Sequence, residues 1–196
     1  GDYAAPAVQP ICGCCDLPHE DVRRLIKAKE LKSQAAVWQE LDWKTPNGCH
    51  VCEVEIDPET GAARLTRYAV VDDVGRVMNG MLLEGQIHGA IVQGAGQVLM
   101  EDVAWDANGQ PVTGTFLDYT LPRADTMPQI LSELDESQPC THNPLGAKGC
   151  GESGAIGAPG AVASAGLGAL SGFGVAEIQM PLTPESIWRA INTAEA

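Results

Sequence analysis

The chain has 196 residues, of which 44% are apolar and 19% charged, and this composition excludes a compositionally disordered protein. Its 26 acidic and 12 basic residues give a formal charge of −14, which argues against a nucleic-acid binder and against attraction to an anionic membrane surface. No stretch approaches the roughly 20 apolar residues of a membrane span. Seven cysteines, an odd number in a chain of this length, favour reduced, intracellular thiols.

Residues 1–44 form the first predicted segment. Residues 1–17 are rich in proline and cysteine, which predicts an irregular arm. In residues 18–42 apolar side chains recur near helical spacing, which predicts one amphipathic helix. Its basic residues indicate a solvated face, with docking onto an acidic partner as the alternative. These cations are Arg23, Arg24, Lys27, Lys29 and Lys32.

Residues 45–196 form the second predicted segment, which begins with a hairpin and a helix. The alternation in Cys49–Ile56 and the apolar run Leu65–Val71, separated by turn residues, predict two paired strands. Residues 81–101 predict a helix that contains four glycines. Since glycine costs a helix about 1 kcal/mol per interior site, so many indicate close packing or a backbone that a ligand approaches.

The rest of the chain mixes strands and helices without regular alternation. Residues 112–121 and 129–135 predict strands, and the glycine density of residues 143–160 predicts an irregular segment. An alanine-rich helix is predicted at about residues 159–171. A last helix begins at Pro184, with Thr183 as its N-cap. The fold class is therefore α/β or α+β.

Two cysteine motifs suggest alternative chemistry. Cys49 and Cys52 form a Cys-x-x-Cys motif, which could be a redox pair or half of a zinc site. There is no second such motif, and in a strand positions i and i+3 point to opposite faces. Iron–sulfur ligation in an electron-transfer module is the other alternative. Its ligands would be Cys12, Cys14 and Cys15, with a fourth thiolate from Cys49, Cys52, Cys140 or Cys150.

Two polar residues lie in glycine-rich surroundings. Glu152 is the single carboxylate of residues 143–159, and partial burial there would raise its pKa toward the range of a general base. The residues alone favour an exposed loop glutamate. Gln86 lies in a glycine-rich run, residues 85–97, that is not a Rossmann fingerprint because it falls inside a helical pattern. Either that helix packs tightly, or Gln86 and the neighbouring amides meet a polar ligand.

Three stretches, in matching order and spacing, resemble the C-terminal part of the large subunit of the xanthine dehydrogenase, aldehyde oxidase and carbon monoxide dehydrogenase family. They are PNGCHVCEVEIDPETG, VVDDVGRVMNGMLLEGQIHGAIVQGAGQ and NPLGAKGCGESGAIGAPGAVASA, with LDYTLPRAD between the last two. The resemblance covers about residues 45–191. It implies that residues 45–196 are the C-terminal portion of the molybdopterin-binding domain of a molybdenum hydroxylase, and it leaves residues 1–44 unassigned.

The resemblance also implies roles for four residues. Glu152 stands where the family has the general base, which takes a proton from a hydroxyl on molybdenum before that oxygen attacks an electron-poor carbon. Gln86 would hydrogen-bond the cofactor, and Cys150 and Gly151 would lie against it. The resemblance implies molybdopterin with molybdenum, in its cytosine dinucleotide form, as the cofactor. The pterin holds the metal, so no residue here is predicted as a metal ligand. [2Fe–2S] clusters and FAD belong to partner subunits or domains.

The family's large subunits are several times longer than this chain, and their upstream part supplies other cofactor loops and the substrate pocket. We therefore expect a separately encoded C-terminal subunit, a processed piece or a fragment. Its partners would be the remainder of the large subunit, an iron–sulfur subunit and a FAD subunit. The small-molecule substrate would be an aldehyde, an N-heteroaromatic compound or carbon monoxide, in the cytoplasm or, as for some relatives, the periplasm. The alternative is a non-catalytic structural or assembly subunit.

Overall fold

The computed structural model describes residues 10–12, 15–18 and 49–194. The chain divides into two compact units, Gly1–Asn47 and Gly48–Ala196. In the first, strands β1 (Pro10–Cys12) and β2 (Cys15–Pro18) pair antiparallel. The prediction of an irregular arm is therefore wrong for these residues. Apart from Pro18, which ends β2, the helix predicted over residues 18–42 lies outside the described residues.

The second unit contains a three-stranded sheet in the order β3 (Cys49–Ile56), β4 (Ala63–Asp73) and β5 (Ile130–Asp135). Strands β3 and β4 are antiparallel, which confirms the predicted hairpin, and β5 runs parallel to β4. The strand predicted over residues 129–135 is thus confirmed. Because β4 is central, the residues at its carboxyl end are held on both sides and can support a loop beyond the sheet.

The strand predicted over residues 112–121 is wrong, because this segment forms turns. Thr115 closes them, since its carbonyl accepts a hydrogen bond from the Tyr119 amide at 2.8 Å and its hydroxyl donates to Asp118 at 2.8 Å. Local bonds of this kind offer the backbone an alternative to a strand ladder. The apolar side chains of Phe116 and Leu117 in this segment are exposed.

The turn of the β3–β4 hairpin lies against the last helix, α3 (Pro184–Ala194). Gly61 has a φ of +74°, and a Cβ on it would collide with the carbonyl of Pro184. Only glycine combines this backbone conformation with so close an approach. The predicted cap of α3 is confirmed, since the Thr183 hydroxyl accepts a hydrogen bond from the Ser186 amide at 3.2 Å.

Two longer helices pack together beside the sheet. Helix α1 (Gly80–Leu99) matches the helix predicted over residues 81–101 and is capped by Asn79, whose side chain accepts from the Leu82 amide at 3.1 Å. Helix α2 (Ser153–Leu170) continues into a 3₁₀ turn, Ser171–Phe173. Since α2 begins directly after Glu152, the predicted irregular segment ends earlier than expected and the predicted helix starts earlier.

The core lies between α1, α2 and the sheet. Its fully buried side chains include Tyr68, Val70, Ile87, Ile91, Val98, Val162, Leu170, Leu182 and Ile187. Residues Ser153–Phe173 are long and apolar enough to cross a membrane by length and composition, contrary to the prediction that no segment approaches this limit. This is weak support for a span, since one face of α2, with Ala158 and Val162, packs in the core.

Candidate functional site

Glu152 is presented on a short turn at the start of α2. The turn closes on the Cys150 carbonyl, which accepts from the Ser153 amide at 3.2 Å and from its hydroxyl at 3.0 Å. Glu152 itself is exposed and makes no side-chain cap to α2. This agrees with the exposed glutamate that the residues alone favour, and the partial burial considered as the alternative is not provided by the described part of the chain. The turn therefore leaves the Glu152 carboxylate accessible to a group from outside the described residues.

The loop before Glu152 is fastened to the carboxyl end of β4. The ammonium of Lys148 contacts the carboxylate of Asp73 at 2.5 Å, and its amide donates to the Val74 carbonyl at 2.9 Å. The Gly146 carbonyl accepts from the amides of Arg76 and Cys140, both at 2.9 Å. These contacts fix the backbone that leads to Glu152, so the turn is not a free surface loop.

The first turns of α2 lie unusually close to their neighbours. A Cβ on Gly154 would stand 2.7 Å from the Ile91 amide nitrogen and 2.8 Å from the Ile87 carbonyl oxygen on α1. A Cβ on Gly157 would collide with the imidazole of His50 on β3, 2.6 Å from Cε1 and closer to other ring atoms. Glycine at these two positions therefore lets α2 fit between α1 and the sheet.

Beneath the Glu152 turn lies a buried polar cluster of His50, Tyr68 and Asp72, which the sequence analysis did not identify as a site. His50 Nδ1 and the Tyr68 hydroxyl are 2.7 Å apart, and His50 Nε2 lies 3.9 Å from Asp72 Oδ1. Burial lowers the pKa of His50 to about 4, so the imidazole is neutral at physiological pH. Burial raises the pKa of Asp72, and the nearby Ser153 hydroxyl partly counteracts this.

Cys150 links this cluster to Glu152. Its thiol is half-buried, and burial raises its pKa, as do the neighbouring negative charges of Asp72 and Glu152. Both carboxylates therefore lie near a thiol that stays protonated at neutral pH. A protonated thiol is a weak nucleophile and a poor metal ligand, so Cys150 is suited to contact rather than to covalent chemistry.

Gln86 lies on an exposed part of α1, between Gly85 and Gly89. Among the residues that the structure describes, no atom lies within 4 Å of a Cβ placed on either glycine. The same is true of Gly151, beside Glu152, which is also exposed. The close approach of Gly154 to the carbonyl of Ile87, the residue after Gln86, brings the Gln86 and Glu152 segments near each other. The backbone there is open to a group from outside the chain.

The Cys-x-x-Cys motif lies on β3, as predicted. Cys52 is a half-buried free thiol, and burial raises its pKa to about 12. A thiol this hard to ionise is unsuited to redox exchange or metal binding. Among the residues that the structure describes, no three His, Cys, Asp or Glu side chains cluster to hold a metal ion. The side chains of Cys12, Cys14 and Cys15 lie outside that description.

Comparison with known families and proteins connects this arrangement to a cofactor. Residues 23–128 match the family described as the molybdopterin cofactor-binding domain. The match begins within residues 1–44, which had no assignment from the sequence, and it includes Gln86 but ends before Glu152. The predicted resemblance to the molybdopterin-binding subunits of molybdenum hydroxylases is confirmed.

Two curated relatives come from Paenarthrobacter nicotinovorans. The gamma subunit of the 6-hydroxypseudooxynicotine dehydrogenase complex is 40% identical over 163 residues, which are 82% of this chain and 20% of that protein. The large subunit of nicotine 6-hydroxylase is 42% identical over 144 residues, which are 74% of this chain and 18% of that protein. The chain thus spans about one fifth of the length of these relatives.

A solved structure gives the same result for the fold. Quinoline 2-oxidoreductase from Pseudomonas putida 86 superposes with a TM-score of 0.69 and 43% identity, over 72% of this chain and 18% of that chain. The predicted mixture of helices and strands, α/β or α+β, is therefore confirmed as part of a molybdopterin-binding domain.

Proposed function

Because the chain belongs to the family of molybdopterin cofactor-binding domains, we propose that it supplies the general base and part of the cofactor site of a molybdenum hydroxylase. The observation that carries this proposal is that two open backbone segments, one at Gln86 and one at Glu152, are brought near each other where Gly154 packs against Ile87. Gln86 would donate or accept a hydrogen bond to the pterin, and Cys150 and Gly151 would contact it.

Glycines at these positions leave room for a large planar or anionic group, which residues with side chains would obstruct. Gly85 and Gly89 leave the α1 surface beside Gln86 flat, and Gly149 and Gly151 do the same on either side of Cys150. Backbone without Cβ atoms lets a ligand approach peptide groups closely. The finer identity of the group, molybdopterin cytosine dinucleotide, is part of the proposal. When bound, it supplies the two-electron redox centre.

In the reaction we propose, a substrate C–H bond becomes C–OH with oxygen from water. The overall change converts R–H and H₂O into R–OH, two protons and two electrons. Glu152 accepts one of the water protons at a carboxylate oxygen, and its exposed position at the start of α2 leaves that oxygen free to do so. [2Fe–2S] clusters and FAD on partner subunits would take up the two electrons.

For the substrate we propose an N-heteroaromatic compound. Three relatives that are 40% identical or more are named for the oxidation of nicotine, a nicotine derivative or quinoline. Two of them are also named as subunits. We therefore propose that this chain works with the remainder of a large subunit, an iron–sulfur subunit and a FAD subunit. An aldehyde is the second substrate class to test.

The test uses the complete enzyme that contains this chain, purified from its source through a tag on the chain. Molybdenum and iron are measured by plasma mass spectrometry, and turnover is measured with quinoline, nicotine and benzaldehyde in H₂¹⁸O. We expect molybdenum in the complex and ¹⁸O in the product. Glu152→Gln should reduce kcat by roughly 10² to 10⁴ and leave molybdenum content unchanged, since only proton transfer is lost.

A second variant tests the cofactor contact without touching the base. Gly89→Ala adds a Cβ where the described part of the chain has no atom within 4 Å, so the chain itself should not be destabilised. We expect the molybdenum content to fall although the thermal unfolding temperature rises slightly, because alanine gains helix propensity. Unchanged turnover in Glu152→Gln would refute the catalytic role and favour a structural or assembly subunit. Full molybdenum loading in Gly89→Ala would refute the contact at α1.

A further inference from the structure

The position of the Glu152 carboxylate depends on backbone alone within the described part of the chain. Its side chain is exposed, and no described residue donates a hydrogen bond to it. The turn that carries it closes on the Cys150 carbonyl and continues into α2, where the Ile156 amide donates to the Glu152 carbonyl at 3.0 Å. Any displacement of the first turns of α2 therefore moves the carboxylate by a similar distance.

The sheet side of those turns rests on one side chain. Gly157 lies one turn after Ser153, and its Cα faces the imidazole of His50 so closely that no Cβ fits. The His50 ring is a rigid plane, and its side chain is only 10% exposed. An imidazole held in place therefore defines how near α2 can come to β3.

Two groups hold the ring in place from β4. Tyr68 stands edge-on to it, with ring centroids 5.9 Å apart and an interplanar angle of 82°, and its hydroxyl is 2.7 Å from Nδ1. Asp72 faces the opposite nitrogen, Nε2, at 3.9 Å. A neutral imidazole has one N–H, so one ring nitrogen can donate a hydrogen bond and the other can accept one.

Asp72 connects this ring to the turn itself. It is 4% exposed, and its Oδ2 is buried with no hydrogen-bond partner in the described part of the chain. The Ser153 hydroxyl lies near enough to lower the pKa of Asp72, and it also donates to the Cys150 carbonyl at 3.0 Å. The hydroxyl has one proton and cannot serve both acceptors at once. Asp72 is thus coupled to the closure of the Glu152 turn.

We propose that His50, oriented by Tyr68 and Asp72, is a positioning residue that sets the location of the Glu152 carboxylate through its contact with Gly157. This rests on the proposed function, because it assumes that Glu152 is the base. His50 touches neither substrate nor cofactor in this account. It determines how far α2 stands from the sheet, and so where the base is offered.

The test uses the complete enzyme. One variant adds a methyl group at Gly157, and a second variant also removes the His50 imidazole that the methyl group would strike. Gly157→Ala should lower kcat roughly 10²-fold, the scale expected for a misplacement of about 1 Å, with KM and molybdenum content within about twofold of the parent. The double variant His50→Ala/Gly157→Ala has room for the methyl group and should recover at least about tenfold of that loss. Gly160→Ala is the matched control on the same helix. A Cβ on Gly160 would meet no described atom within 4 Å, so this variant should leave kcat unchanged.

A double variant no more active than Gly157→Ala, or a Gly157→Ala enzyme equal to the Gly160→Ala control, would overturn the proposal. If the Gly157→Ala enzyme lacks molybdenum, the kcat values of two His50 variants test the proposal instead. His50→Gln keeps an acceptor for Tyr68 and a donor toward Asp72, and should retain at least about ten times the kcat of His50→Leu. Equal rates would overturn it. Full turnover in Glu152→Gln would instead remove the proposed function.

Discussion

The contact between α1 and α2 can be tested at Gly94, near the middle of α1. A Cβ on Gly94 would lie 2.8 Å from the Ala158 Cβ and 2.8 Å from the Pro159 Cδ on α2. Neither neighbour can rotate away, because one is a methyl group on the backbone and the other is part of a ring. Gly94→Ala therefore forces the two helices apart locally.

The magnitude follows from these distances and from helix propensity. Ordinary contacts begin near 3.4 Å, so the helices must separate by about 0.6 Å. Overpacking of this kind costs about 1–3 kcal/mol, whereas replacing a helical glycine by alanine gains about 1 kcal/mol. The net loss is about 1 kcal/mol, which lowers the unfolding temperature by about 2–4 °C for a domain of this size.

The assay is thermal unfolding of the purified chain, followed by circular dichroism at 222 nm. The matched control is Gly168→Ala on α2, where a Cβ would meet nothing within 4 Å. It should raise the unfolding temperature, because it gains helix propensity without a collision. The two substitutions are chemically identical and predicted to have opposite signs. A rise in both would refute the close helix contact.

Three further outcomes follow from the polar contacts. Lys148→Met should destabilise the chain by about 2 kcal/mol in urea unfolding, since it leaves the mostly buried Asp73 carboxylate without its cation. Arg189→Met is the control, because it breaks an exposed ion pair with Glu185 and should not change the unfolding free energy measurably. Because burial lowers the pKa of His50 to about 4 in the folded chain, the unfolded state binds more protons below pH 6.5 and stability is lost as the pH falls toward 4. His50→Gln should lose less stability than the parent between pH 7 and 5, by about 2 kcal/mol, because pH 5 lies about 1.5 units below the unfolded pKa and each unit contributes about 1.4 kcal/mol. Cys52, with a pKa of about 12, should stay unlabelled by iodoacetamide at pH 8 in peptide mapping, and rapid labelling of the folded chain would contradict its burial.

The strands and helices with a clear period were predictable from the sequence. Alternation identified the β3–β4 hairpin, and helical spacing identified α1 within two residues at either end. The start of α2 was not predictable from propensity, because glycines at 154 and 157 weigh against a helix. Tertiary packing decides otherwise, since those same glycines let α2 fit against α1 and His50.

The site was predictable in part. The residue pattern directed attention to Glu152 and Gln86, and their roles stay predictions until the variants are made. His50 and Asp72 were missed as a pair because they are distant in sequence. One signal was available for Asp72: residues at positions 68, 70 and 72 share a face of β4, and Tyr68 and Val70 belong to the core. A carboxylate on that face had to be buried.

Four glycines of α1 and α2 form two pairs, which differ in whether described residues lie close to them. Gly94 and Gly154 lie against the chain itself, at distances that exclude a Cβ, so their cost to helix propensity is offset by packing. Gly85 and Gly89 carry the same cost of about 1 kcal/mol each, yet they meet no atom of residues 49–194. Packing within that range gives no reason for them. A bound group beside Gln86 would explain both glycines. The molybdenum content of the Gly89→Ala variant tests this without disrupting the fold.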